Sequence, residues 1–204
     1  ELANYSDGMD PMPYYLAAIE AMDFQIGRLL NGLTQEERDN TIILFMGDNG
    51  TPNEVGQSPY AGNAVKGSLY QGGINVPLFV SGKGVQRTGN DYNLLTSTDL
   101  FSTIAQLAGG SSTEIHDSKS FKELLTINDG QRTFQYSEME SPNASKWAIS
   151  NGDYKLIVRA NGAQELYNLL SDPYESENLI GAALSIEAID AKTALEAERH
   201  GIRY

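Results

Sequence analysis

The stretch Thr41-Ile-Ile-Leu-Phe-Met-Gly-Asp-Asn-Gly50 decides how this chain is read. Its first six residues form a run without polar alternation. That pattern predicts a strand covered on both faces, as in a parallel sheet. A carboxylate, an amide and a glycine follow at once. Open α/β sheets bind ligands just outside the carboxyl ends of their strands, and Asp48 and Asn49 stand at such an end. Both carry oxygen donors of the kind a hard divalent cation takes. Gly50 frees the backbone to turn sharply there. A strand that closes in an ordinary Asp-Asn-Gly turn accounts for the same residues, so the segment alone leaves both readings open.

Upstream, Pro11 to Gly32 predicts an amphipathic helix. Its prolines suit a first turn, and its apolar positions Tyr15, Leu16, Ile19, Met22, Ile26, Leu29 and Leu30 fall at helical spacing. Thr34 to Asn40 is a polar link into the strand. Downstream, 50–73 reads as a long loop rich in Gly and Asn, of a length that is usually functional or disordered. Val76 to Ser81 predicts a second strand and Thr98 to Ala108 a helix. Past Ser111 the character changes. Phe121 to Leu125 reads as a helical turn. Strands are expected at Thr133–Ser137, Lys146–Ser150, Tyr154–Arg159 and Gln164–Leu169, with a hairpin at Asn151-Gly152. Ala182 to Arg199 closes the chain as a helix. The expected division is an α/β part over 1–125 and a small α+β part over 126–204.

Composition narrows the function. The chain has 204 residues, 40% of them hydrophobic, enough for a sizeable core. No apolar run reaches the length of a membrane-spanning helix. The net charge of −13 repels nucleic acid and anionic membrane surfaces, so neither is an expected partner. An anionic substrate therefore needs a local cation, either a metal or a placed Lys or Arg. There is no Cys and there are two His, His116 and His200. Disulfides, Cys-based metal sites, His-rich zinc sites and a Ser-His triad on the early strands are excluded. His116 and His200 read as surface residues, Glu20 and Asp23, on the same helix as Arg28, as solvated or capping, and Trp147, Tyr154 and Tyr167 as core. The acidic residues of Asp172-Pro-Tyr-Glu175 read as solvating a turn. The polar start at Glu1, with no Met, reads as an interior piece of a longer polypeptide. A processed terminus or a cloning remnant is the alternative.

Four ordered segments resemble the sulfatase family of the alkaline phosphatase-like superfamily. They are the helix Tyr15 to Leu30; Asn40 to Gly50; Lys66-Gly-Ser-Leu-Tyr-Gln-Gly-Gly-Ile-Asn-Val-Pro77 with Ser97 to Gly109; and Asp153-Tyr-Lys-Leu-Ile157 with Glu165-Leu-Tyr-Asn-Leu169 and Asp172 to Leu179. The resemblance implies an α/β alkaline phosphatase-like sulfatase core, of which this is the C-terminal part, plus a small antiparallel sheet with a C-terminal helix. It implies that Asp48 and Asn49 ligate a divalent cation, usually Ca2+, and that Lys66 contacts the sulfate group and the nucleophile. The implied substrate is an aryl or carbohydrate sulfate ester. Phosphatases and phosphodiesterases of the superfamily tend to carry His where Asn49 stands, and an amide suits a calcium-like ion better than a transition metal.

The departures also inform. The family nucleophile, a formylglycine made from Cys or Ser, has no counterpart here, since Ser141-Pro-Asn-Ala-Ser145 lacks the required Arg. The nucleophile, the first metal-binding Asp pair and the active-site His are expected in a missing N-terminal part of the same enzyme. Gln71 and Asn75 replace a Glu and an Arg that the family prefers. Two rival readings remain: a phosphate or phosphonate ester hydrolase of the same superfamily, and a non-catalytic fragment acting as a binding module.

Overall fold

The computed structural model describes residues 4–60, 65–111, 114–140 and 145–202. The chain divides into two compact units. One comprises Glu1–Ser68 and Gly72–Val85, the other Leu69–Gln71 and Gln86–Tyr204.

The first unit opens with helix α1, Met12–Asn31, carrying a proline in its first turn and ending at Gly32. The polar link after it holds a short helix, α2, Gln35–Asp39. Thr34 and Glu37 form a reciprocal capping box at its start, with Glu37 Oε2 accepting from the Thr34 amide at 2.7 Å. Thr34–Asn40 was expected only as a polar link, although its Thr-x-x-Glu spacing is the signature of a capping box. Strand β1, Ile42–Met46, follows as expected. Its pairing does not. β1 lies antiparallel to β2, Leu78–Gly82, in a two-stranded ladder with Ile42 opposite Gly82 and Met46 opposite Leu78. The parallel expectation is corrected. An unbroken apolar run carries no information on strand direction, and the five residues of β1 are half-buried rather than covered on both faces. Between the strands lie a 3-10 turn at Asn53–Val55, with Val55 buried, and the short helix α3, Gln71–Ile74.

The second unit begins with α4, Asp99–Leu107. Asp99 is buried and accepts from the backbone amides of Thr96 (2.8 Å) and Lys119 (2.9 Å), and it pairs with Arg132. A tiny hairpin follows, β3 at Glu114–Ile115 and β4 at Ser118–Lys119, with exposed His116 at φ 56° in its turn. A 3-10 turn spans Lys122–Leu125.

Next comes an antiparallel sheet of β5 (Gln135–Met139), β6 (Lys146–Ser150), β7 (Tyr154–Arg159) and β8 (Gln164–Asn168), in that spatial order. The β6–β7 hairpin turns at Asn151-Gly152, with Gly152 at φ 95°. Helix α5, Ile186–Ile202, packs on β6 and β7. It starts four residues later than expected because Ser185 caps it, its Oγ accepting from Ala188 N at 3.2 Å. Ile149, Leu156, Leu166, Ala188 and Leu195 form the core between sheet and helix, with Trp147 and Tyr154 against it.

Candidate active site

Asp48 and Asn49 stand two and three residues past the end of β1, exposed. Backbone bonds hold the turn on both sides. Gly47 N donates to Pro77 O at 3.0 Å and Gly50 N to Gly73 O at 3.1 Å. The Asn49 amide donates to Asp48 Oδ1 at 2.5 Å, so the two side chains lie together. Gly50 is obligatory here: a Cβ would fall 2.0 Å from Gly72 O.

Lys66 follows the undescribed residues 61–64 and is exposed. Its backbone N donates to Thr51 O at 3.0 Å, which ties its stretch to the chain just past Asn49. Ser68 N on Val65 O, 3.1 Å, closes a turn around Lys66, with Gly67 at φ 81°. Val65 and Ser68 are buried, and Ser68 Oγ has no partner among the described residues. Thus one unit carries Asp48, Asn49 and Lys66 on backbone segments that are bonded to one another.

The donors at β1 are one carboxylate and one amide. Among the described residues no three His, Cys, Asp or Glu side chains gather as a metal-binding group. The pair suits a hard cation in chemistry but supplies only part of a coordination shell. Ser141 to Ala144, the stretch that lacks the nucleophile motif, lies outside the described residues.

The sequence reading missed a second cluster, on the sheet face of β7 and β8 opposite α5. Lys155 and Glu175 form a buried ion pair there, 2.6 Å apart. Glu175 does not solvate the turn after β8, as the sequence had suggested. It is buried at φ 57° and accepts from Gln71 N at 2.5 Å. Beside it, Glu165 accepts from Tyr70 Oη (2.5 Å), Tyr167 Oη (2.8 Å) and Arg159 Nε (2.7 Å). Burial pushes the Glu165 carboxyl up, but these donors outweigh it and hold the group below the usual carboxylate range. Burial, then Glu165, pushes both Tyr70 and Tyr167 up. The available signal was a lysine inside the otherwise apolar run Lys155-Leu-Ile-Val158.

His200 is exposed and lines a cavity of about 350 Å3 with Trp147, Gln164, Glu196 and Arg199. No helix among the described residues is long and apolar enough to cross a membrane.

The profile of the family described as Sulfatase matches residues 3–111, and that described as N-sulphoglucosamine sulphohydrolase, C-terminal, matches residues 62–199. A choline-sulfatase of Rhizobium meliloti is 30% identical over 171 residues, covering 81% of this chain and 32% of that protein. A sulfatase of Formosa agariphila is 30% identical over 206 residues, covering 86% of this chain and 37% of that protein. The chain thus spans about a third of the length of the curated relatives it matches. Among solved structures, BT4656 in complex with its substrate D-glucosamine-2-N,6-O-disulfate superposes with a TM-score of 0.78 at 25% identity, over 92% of this chain and 40% of that one. The phosphonate monoester hydrolase of Agrobacterium radiobacter, at 19% identity and a TM-score of 0.66, shares the fold. The architecture is that of the alkaline phosphatase-like sulfatases. The Sulfatase profile matches residues 3–111, more than half of this chain, and this chain belongs to the sulfatase family.

Proposed function

We propose that this chain is the C-terminal portion of a sulfuric ester hydrolase and contributes half of its metal site and one catalytic cation. The observation that carries this is the placement of Asp48 and Asn49 at the end of β1, with Lys66 on a segment bonded to the same turn, in a chain of the sulfatase family. Asp48 supplies a charged oxygen ligand and Asn49 a neutral carbonyl oxygen. A calcium-like ion bound there supplies fixed positive charge beside the sulfuryl oxygens. Lys66 places a second cation against charge that develops in the transition state, the kind of preorganised stabilisation that accelerates such reactions. The nucleophile in this reading is a formylglycine in the remainder of the enzyme, which also carries the remaining ligands.

The amide at 49 favours a hard ion and a sulfate ester over the phosphonate chemistry of the Agrobacterium neighbour, whose likeness extends to fold alone. The substrate reported for BT4656 makes a sulfated amino sugar the first carbohydrate ester to assay.

The test uses the full-length enzyme with paired sulfate and phosphate esters. Asp48→Ala abolishes turnover together with metal binding. Lys66→Ala lowers turnover by about 100-fold or more while the metal stays bound, the scale of losing one transition-state donor. Calcium titration adds a second arm. The 204-residue chain alone binds weakly, because two oxygen donors fall short of the roughly six to eight that calcium takes. Tight binding by this chain alone overturns the half-site. No binding by the full-length protein, or preference for phosphate esters, overturns the sulfatase reading.

A further inference from the structure

Gly72 and Gly73, inside α3, lie between the turn that carries Asp48 and Asn49 and the turn that carries Lys66. All of these residues belong to the first unit. On one side, Gly50 N donates to Gly73 O at 3.1 Å. A Cβ at Gly50 would fall 2.0 Å from Gly72 O and 2.7 Å from Gly73 Cα. On the other side, a Cβ at Gly73 would fall 2.5 Å from Ser68 O, 2.6 Å from Ser68 Oγ and 2.7 Å from Val65 O. Val65 and Ser68 are the two ends of the Lys66 turn, which Ser68 N closes on Val65 O. The third side of this triangle is direct. Lys66 N donates at 3.0 Å to Thr51 O, one residue past Gly50.

One hydrogen bond between two turns acts as a hinge. The bond from Lys66 N to Thr51 O fixes a distance and leaves the Lys66 turn free to pivot about it. A second point of contact removes the pivot, and Gly73 is that point. It is buried, with backbone packed against it from both turns. The buried Ser68 Oγ, which has no partner among the described residues, faces the place where a side chain at position 73 would stand. Ordinary contact begins at 3.4 Å, so any side chain at 73 forces the Lys66 turn back by roughly 0.7–0.9 Å. A catalytic group misplaced by about 1 Å can lose about 100-fold in rate.

We propose that Gly73 is a positioning residue for sulfate-ester cleavage: as a spacer without a side chain, it sets the Lys66 turn at a fixed separation from the Asp48–Asn49 turn. The inference rests on the sulfatase reading above. Gly73 touches neither substrate nor metal in it and acts through the backbone at Val65 and Ser68.

The test uses the full-length enzyme with a sulfate ester and reads kcat, KM and the metal-binding midpoint. G73A moves the Lys66 turn by collision. S68G removes the side chain that faces Gly73 and adds no atom, so it loosens the turn without a clash. Each is made alone and together with K66A. In G73A kcat falls about 100-fold and in S68G about tenfold, with KM and the metal midpoint unchanged, as for an interaction made in the transition state. Neither loss appears once Lys66 is Ala. Both double variants turn over as slowly as K66A alone, because residues that act through one another are not additive. Losses that multiply in the K66A background overturn the proposal, since Gly73 then acts on stability or on another group. Wild-type kcat in S68G overturns it too, as does a shifted metal midpoint in either single variant. If G73A does not fold, S68G and S68G/K66A decide alone. A wild-type enzyme inactive on sulfate esters, or K66A with wild-type turnover, overturns the sulfatase reading of Lys66 and this proposal with it. An impaired K66A with additive losses in the double variants overturns this proposal alone.

Discussion

Gly50 sets the shape of the turn that carries Asp48 and Asn49. A methyl group there collides with the backbone at Gly72 and Gly73, and backbone cannot step aside as a side-chain tip does. Gly50→Ala is expected to destabilise the chain by about 1–3 kcal/mol, read as a lowered urea midpoint. Gly27 makes the opposite case. It lies inside α1 with nothing within 4 Å of an added Cβ. Gly27→Ala is expected to stabilise by about 0.5–1 kcal/mol. The two glycines are indistinguishable by composition, and the difference is a contact with residues more than twenty positions away. Glu165 gives a pH dependence. Its folded pKa lies below the ordinary 4.5, so below that pH the unfolded chain binds more protons than the folded one. Its stabilisation is complete above about pH 4.5 and is lost as the pH falls through the folded value. Glu165→Gln should flatten that part of the stability–pH curve in denaturation experiments run at successive acidic pH values.

Helices α1 and α5 show how differently two amphipathic patterns are spent. In α5, Leu195 is fully buried against Ile149, Leu156 and Leu166. Leu195→Ala should cost about 2–5 kcal/mol, and most of that loss should appear in the second unit. In α1 no residue is buried, and Leu16, Ile19, Met22, Phe24 and Leu29 are all exposed. A contiguous apolar face in water promotes association. The 204-residue chain on its own is therefore expected to self-associate. Charging the face with Met22→Glu and Leu29→Glu should shift its sedimentation toward the monomer. A monodisperse wild-type monomer at micromolar concentration would contradict this. Helix spacing announced both elements in the sequence. Whether the apolar stripe meets a partner is decided outside the element, which is why the pattern alone could not tell α1 from α5.

At the scale of the molecule the net charge of −13 dominates. Like charge on a compact chain repels itself, and salt screens that repulsion over about 10 Å at 0.1 M. Raising the ionic strength should therefore raise the urea midpoint, although individual pairs such as Arg87–Asp91 weaken. Much of the architecture was set locally and could be read as such. The capping box at Thr34, the Asn151-Gly152 hairpin, the strands after residue 130 and the Asp48-Asn49 turn each depend on neighbours within a few residues. The order of the four motifs carried the family for the same reason. Strand direction, the burial of Glu175 and the fit of Gly50 were not local. β1 and β2 are joined by a long connection that allows either direction, and only their ladder selects antiparallel. Glu175 sits in a polar turn by sequence, yet it is buried because Lys155 and the Gln71 amide, distant along the chain, arrive to satisfy its carboxylate. The sequence alone thus determined the elements, their caps and the donor chemistry of the site, since each depends on near neighbours. Which of those groups meet, and which of them leave water, was decided only in three dimensions, because both depend on partners far apart in the chain.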